Sequence, residues 1–229
     1  MARKKASEPR MQDNDRAALS NAFFNGDEAA IRAALAAGAD PNAADPDGEL
    51  AIVHASKRAD TERVALLQLL GADPNAADER GWSAIAIAAQ TDEPDMLWTM
   101  LRGGARPDGD GTLIGTPIFL ASFEGLDDNL RLLMGAGADL TAVDRDSGRT
   151  ALMLAIQNGN DRCAKLLADA GCPILAVDRS GSAAIDHARA EERADVLEWL
   201  EPIVAAHQER AALELASAAG SAPSQTSRL

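Results

Sequence analysis

Tyrosine is missing from this 229-residue chain, and the aromatic share is only 3%. Apolar content still reaches 46%, so the core must be built from small aliphatic side chains, which suits helices packed closely on one another. Cysteine is nearly absent. Cys163 and Cys172 are the only thiols, and two sparse thiols read as small packing residues rather than a disulfide or redox pair. The three histidines are His54, His187 and His207, and no His/Cys spacing fits zinc. Asp108-Gly109-Asp110-Gly111-Thr112 opens like a calcium loop, but Phe119 stands where the bidentate glutamate should be, which leaves a glycine-rich turn. Asp144-Arg145-Asp146 is likewise a turn. There is no phosphate-binding glycine loop and no G-x-S-x-G elbow. With no convergent nucleophile, base or metal ligands, no enzyme activity, catalytic residue, cofactor or metal is expected.

Long apolar runs are also lacking; none approaches the ~18 residues that would mark a membrane helix. MARKKASEPR leads into polar MQDND rather than an apolar segment, so no signal peptide is expected and the cytoplasm is the default compartment. Positive charge is scarce as well. The chain carries a net −14, and this understates its body. Residues 1–10 set Arg3, Lys4, Lys5 and Arg10 against Glu8, and residues 202–229 are balanced, leaving 16 basic and 33 acidic residues between them, a net −17. Such a surface disfavours nucleic acid and anionic membranes as partners and favours a protein with a basic contact surface.

What the chain has in abundance is repetition. GADPNAAD occurs at Gly38–Asp45 and again at Gly71–Asp78, and weaker forms start at Gly104, Gly137 and Gly171. The first four glycines are each 33 residues apart and the last step is 34. Other columns keep this step: Ile52, Ile85, Ile118, Leu152, Ile185; Ala55, Ala88, Ala121, Ala155, Ala188; Val64, Leu97, Leu130, Ala164, Leu197; and Leu67, Met100, Leu133, Leu167, Leu200. The extra residue is assigned to DRDSG at Asp144–Gly148, whose sisters read DPDG, DERG and DRSG. Each unit reads as a turn, a short helix, a second helix begun by a cap such as Asp60, and a glycine stop such as Gly71.

A 33-residue unit of one β-turn and two antiparallel helices resembles the ankyrin repeat, an all-α solenoid of stacked helix-turn-helix units joined by β-turn fingers. The resemblance covers Asn14 to about Glu201. TPIF at Thr116–Phe119 and TALM at Thr150–Met153 keep part of the family's TPLH signature, while Leu50, Ser83 and Ala183 replace the threonine elsewhere. The signature histidine is missing throughout, so the helix-start hydrogen bond should be lost and stability moderate.

The expected order is a disordered basic terminus at residues 1–12 and repeat units at 13–44, 45–77, 78–110, 111–143, 144–177 and 178–201. The end units act as caps. In the first unit, Leu19, Ala22, Phe23, Ile31 and Leu35 should face inward. Pro202 should end the last repeat helix, and 202–220 should form a C-terminal helix that packs on the last repeat or pairs with a partner helix, with a disordered tail at 221–229. Ser227-Arg228-Leu229 matches two three-residue terminal signals, which arise too often by chance to carry weight.

The resemblance implies protein binding through finger tips and the exposed ends of first helices, the concave face. The tips fall at Asp47 and Glu49, Arg80 and Trp82, Thr112 and Leu113, Arg149, and Arg179. The helix ends contribute Lys57, Gln90, Phe123 and Gln157. Trp82 and Phe123 are aromatic where sister units are mostly polar, and two readings stand: they face water and centre the binding surface, or Trp82 folds over a neighbouring turn and Phe123 covers the DGDGTLIG finger. The expected function is a monomeric, non-enzymatic binding protein that occupies and inhibits a partner. The alanine, arginine and aspartate usage resembles that of high-GC bacteria, where alternatives are an immunity protein for a nearby toxin or a secreted effector or adaptor acting in a host cell.

Overall fold

The computed structural model describes residues 21–25, 27–79, 81–109 and 115–220, with backbone alone for 215–220. The expectations for the N-terminal 20 residues, Arg80, residues 110–114 and the 221–229 tail lie outside the described residues. Residues 21–25 are helical, and eleven further helices follow. They are α1 (Glu28–Ala36), α2 (Ala51–Lys57), α3 (Thr61–Leu69), α4 (Ala84–Gln90), α5 (Pro94–Arg102), α6 (Pro117–Glu124), α7 (Asp127–Gly135), α8 (Ala151–Gln157), α9 (Asp161–Asp169), α10 (Ala184–Ala190) and α11 (Ala194–Gly220). The only β pairing among the described residues is a set of isolated bridges at the fingers. The chain forms two bodies. Body one runs to Ala121 and takes in Asp128–Asp139; body two comprises Ser122–Asp127 and everything from Leu140.

The repeat columns are the core. The alanines at 55, 88, 121, 155 and 188 are fully buried, as are Val64, Leu97, Leu130 and Ala164, and Leu67, Met100, Leu133, Leu167 and Leu200. Leu197, in the last unit, is only half-buried. Phe23 and Ile31 are buried as expected, but Leu35 is half-buried and Ala34 takes the inward place, one residue earlier and in register with Leu67. Both cysteines are free and buried. Burial pushes the Cys163 thiol up to about 12, helped by the Asp127 carboxylate 3.0 Å away, which fits a packing role.

Helix starts correct one expectation. The Ser83 hydroxyl accepts from Ala86 N and the Thr150 hydroxyl from Met153 N, so the start is capped without histidine. Leu50 has no such cap, and at Ala183 the Asp186 carboxylate reaches back to the Ala183 amide instead, at 2.9 Å. Second helices end on a left-handed glycine. Gly71 has φ 102°, and the Ala72 amide turns back to the Leu67 carbonyl.

The GADPN asparagine has a visible purpose. Asn42 Nδ2 donates to the Gly71 carbonyl while its Oδ1 accepts from the Asp73 amide at 2.7 Å. Asn75 repeats both bonds on Gly104 and Arg106. At the next step Asp108 can only accept, from Asp139 N at 2.8 Å, so the ladder loses its donor half where the motif weakens.

The fingers confirm where the extra residue sits. In three of them the turn closes over three residues, with Gly48, Gly81 and Gly181 amides bonding Asp45, Asp78 and Asp178 carbonyls. In the fourth, Gly148 N reaches back four residues to Asp144 O, and its bridge joins Val143 to Thr150 rather than residues six apart.

Pro202 does not end its helix. α11 runs through it to Gly220 because Leu200 and Val204 are buried on either side, while Pro202 and Glu198 are exposed and the freed Glu198 carbonyl can be met by water. Nor does the extension pack on the last repeat. Val204 is buried, but residues 205–214 are all exposed, Leu213 at 71%.

Candidate partner-binding face

In body one the first finger is built around Asp45, whose Oδ1 accepts from the Asp47 and Glu49 amides, both at 2.9 Å. This Asx turn leaves the Asp47 side chain exposed at the tip. Glu49 points back to the helix. Its carboxylate meets Lys57 Nζ at 2.7 Å and His54 Nδ1 at 2.9 Å, and Lys57 also reaches Asp78 Oδ2 at 3.4 Å. Burial raises the Glu49 pKa, but the Lys57 and His54 hydrogen bonds outweigh it and hold the carboxyl below its ordinary value. For Lys57 burial works downward, and the bonds and charges of Glu49 and then Asp78 raise it overall. Two residues expected to await a partner are therefore engaged with each other, and they brace the first finger on the second.

Trp82 is half-buried rather than facing water; its amide donates to Asp78 Oδ1 at 2.8 Å, the same turn bond that Asp45 makes. Gln90, at the end of α4, is also half-buried.

Body two carries the other candidates. Phe123 is 51% exposed at the end of α6. Its carbonyl accepts from Asn160 Nδ2 at 2.7 Å, so its backbone is fixed while its ring is open. Gln157 ends α8 half-buried. Arg149 lies with Nε 3.6 Å from Asp178 Oδ2, an ion pair without a hydrogen bond. The same Oδ2 is 2.9 Å from His187 Nε2, and Oδ1 accepts from the Ser180 amide and hydroxyl and the Ser182 amide. The Ser180 hydroxyl, joined by these amides and His187, overcomes burial and holds the Asp178 carboxyl far below its usual range. Arg179 is exposed at its tip. Its amide donates to Ser147 O at 2.9 Å, and its guanidinium also meets the Arg145 carbonyl.

Fingers in both bodies are thus tied at their base by a buried turn aspartate and a cation from the preceding unit: Lys57 on Asp78, Arg149 on Asp178. Sequence reasoning treated those cations as free contacts and missed the histidines' role. The signal was there, since His54 and His187 occupy one column and each is bonded to an acidic side chain near a finger. Trp98 was missed too. It is 47% exposed on α5, in a column otherwise held by Arg32, Ala65, Arg131, Lys165 and Glu198.

Bridged fingers, paired helices and an asparagine ladder repeating every 33 residues define a repeat solenoid protein. Residues 16–111 and 118–210 match the family model for ankyrin repeats (three copies), and the chain belongs to the ankyrin-repeat family. No curated protein matches the sequence. Ankyrin repeats generally mediate protein–protein interaction, and among the described residues no helix is long and apolar enough to cross a membrane.

Proposed function

We propose that this chain is a binding protein that engages one partner protein through its finger tips and first-helix ends, and acts by occupying the partner's surface. The observation that carries this reading is Phe123. Its ring is half-exposed on a backbone pinned by Asn160, at a place where sister units put Lys57, Gln90 and Gln157. An aromatic ring that no core requires, held on a rigid frame, loses little freedom on binding and can anchor an interface. The exposed tip Arg179, in the same body, would contribute to its polar rim. The −17 body supports a partner that is basic where it docks.

Photo-crosslinking in the native cell tests this. A photoreactive amino acid is placed in the full chain at Phe123, at Arg179, or at Arg162, an 85% exposed control on α9. One common protein crosslinked from Phe123 and Arg179 and not from Arg162 is the expected result. The same capture from all three positions, or from Arg162 alone, would overturn the reading.

A further inference from the structure

Body one has an apolar surface that the finger reading does not use. Trp98, Pro94 and Asp95 of α5 and Asp128, Arg131 and Leu132 of α7 line a groove of 470 Å³. Trp98 is 47% exposed, and the Arg102 guanidinium lies over its ring, 4.8 Å from the centroid, which fixes the indole from its own helix. The ring is not needed for packing, because its column is served elsewhere by alanine, arginine, lysine and glutamate.

The groove is also chemically polarised. Asp95 and Asp128 stand 33 residues apart, so they occupy the same place in the first turn of consecutive second helices. Both are exposed, and neither enters an ion pair among the described residues. They set two carboxylates beside the apolar floor of Trp98 and Leu132. Arg131 enters no ion pair among the described residues either, and it lines the groove from α7.

We infer that this groove docks an extended segment of a partner protein in which an apolar side chain is flanked by lysine or arginine. The apolar side chain lies against Trp98 and Leu132, where burying it removes the exposed indole from water. The cations meet Asp95 and Asp128, whose carboxylates no ion pair among the described residues engages. Arg131 donates to a backbone carbonyl of the segment. A groove of this volume between two helices takes one or two side chains, which fits a short extended segment. The inference is independent of the finger tips, none of which lines the groove.

Nuclear magnetic resonance on the full chain tests it through the tryptophan indole N–H signals, with that of Trp98 assigned by its loss in Trp98→Phe. Three twelve-residue Gly/Ser-based peptides serve as probes, with centres Lys-Leu-Lys-Leu, Glu-Leu-Glu-Leu and Lys-Ser-Lys-Ser. The first should shift the Trp98 signal saturably and leave those of Trp82 and Trp199 in place; the other two should not. Asp95→Asn combined with Asp128→Asn should weaken the first peptide by about tenfold at an unchanged melting temperature, since both side chains are at the surface. No Trp98 shift with any peptide would overturn the inference. So would an equal response to the glutamate peptide, or to the leucine-free one, which would be charge attraction alone. A Trp98 shift that grows with protein concentration in the absence of peptide would assign the groove to a second copy of this chain, also against it.

Discussion

Among single residues, Asp178 has the most to do. Its two oxygens close a finger turn through Ser180 and Ser182 and bind His187 beside Arg149. Its carboxyl is held below the ordinary aspartate value, so the unfolded chain takes up its proton first as pH falls. The stabilisation is therefore fully present above about pH 4 and is lost as the pH drops below that toward the folded value. Asp178→Asn should melt earlier than the parent at neutral pH, and the gap should narrow between about pH 4 and pH 2. A gap that stays constant over that range would show the carboxylate's charge to be immaterial. The aromatic candidates separate at the same scale. Phe123 could be placed from its column because the ends of first helices lie outside the core, exposed at Lys57 and Phe123 and half-buried at Gln90 and Gln157. Trp82 could not, since half-burial of its ring depends on neighbours that a turn motif does not specify. The ion pairs of Lys57 and Arg149 were not legible for a related reason: a sequence shows a charge at a surface position but not the opposite charge that the next unit brings to it.

At the scale of elements, most of the architecture was readable. Column spacing located both helices of each unit, the glycine stops and the inserted residue, because each of these is a local requirement repeated with one period. Pro202 was misread because its local rule was outweighed by the burial of Leu200 and Val204, which only tertiary packing reveals. The link after each first helix shows the same competition. Gly125 and Gly159 take φ 75° there, but Ala59 and Glu192 are forced to φ 53°. A left-handed alanine is strained by roughly 1–2 kcal/mol, partly offset by the extra freedom glycine has when unfolded, so Ala59→Gly should stabilise by about 0.5 kcal/mol. Gly159→Ala should do the opposite and cost about 1–2 kcal/mol by the same strain, and the added Cβ, 2.5 Å from Arg193 Nη1, would also displace that guanidinium. Chemical denaturation of the two variants checks the pair, and equal signs would contradict the account.

For the whole molecule, function follows from what the repeats leave uncommitted. The alanine and leucine columns are consumed in packing, and the turn aspartates and their cations in bracing the fingers. What remains for a partner is the set of exposed tips, the Phe123 ring, the Trp98 groove and an acidic surface. The partner's identity is not written in that set, because binding specificity resides in a few exposed side chains of a scaffold shared by proteins with many functions. The most direct measurement is calorimetric affinity for the crosslinked partner, with Phe123→Ala and Arg179→Ala compared with the parent and melting temperatures recorded alongside. The account predicts that Phe123→Ala weakens binding by about tenfold or more, Arg179→Ala by less, and that neither moves the melting temperature appreciably. Affinity unchanged in both variants, or a collapse of the Phe123→Ala melting temperature, would show that the binding surface lies elsewhere.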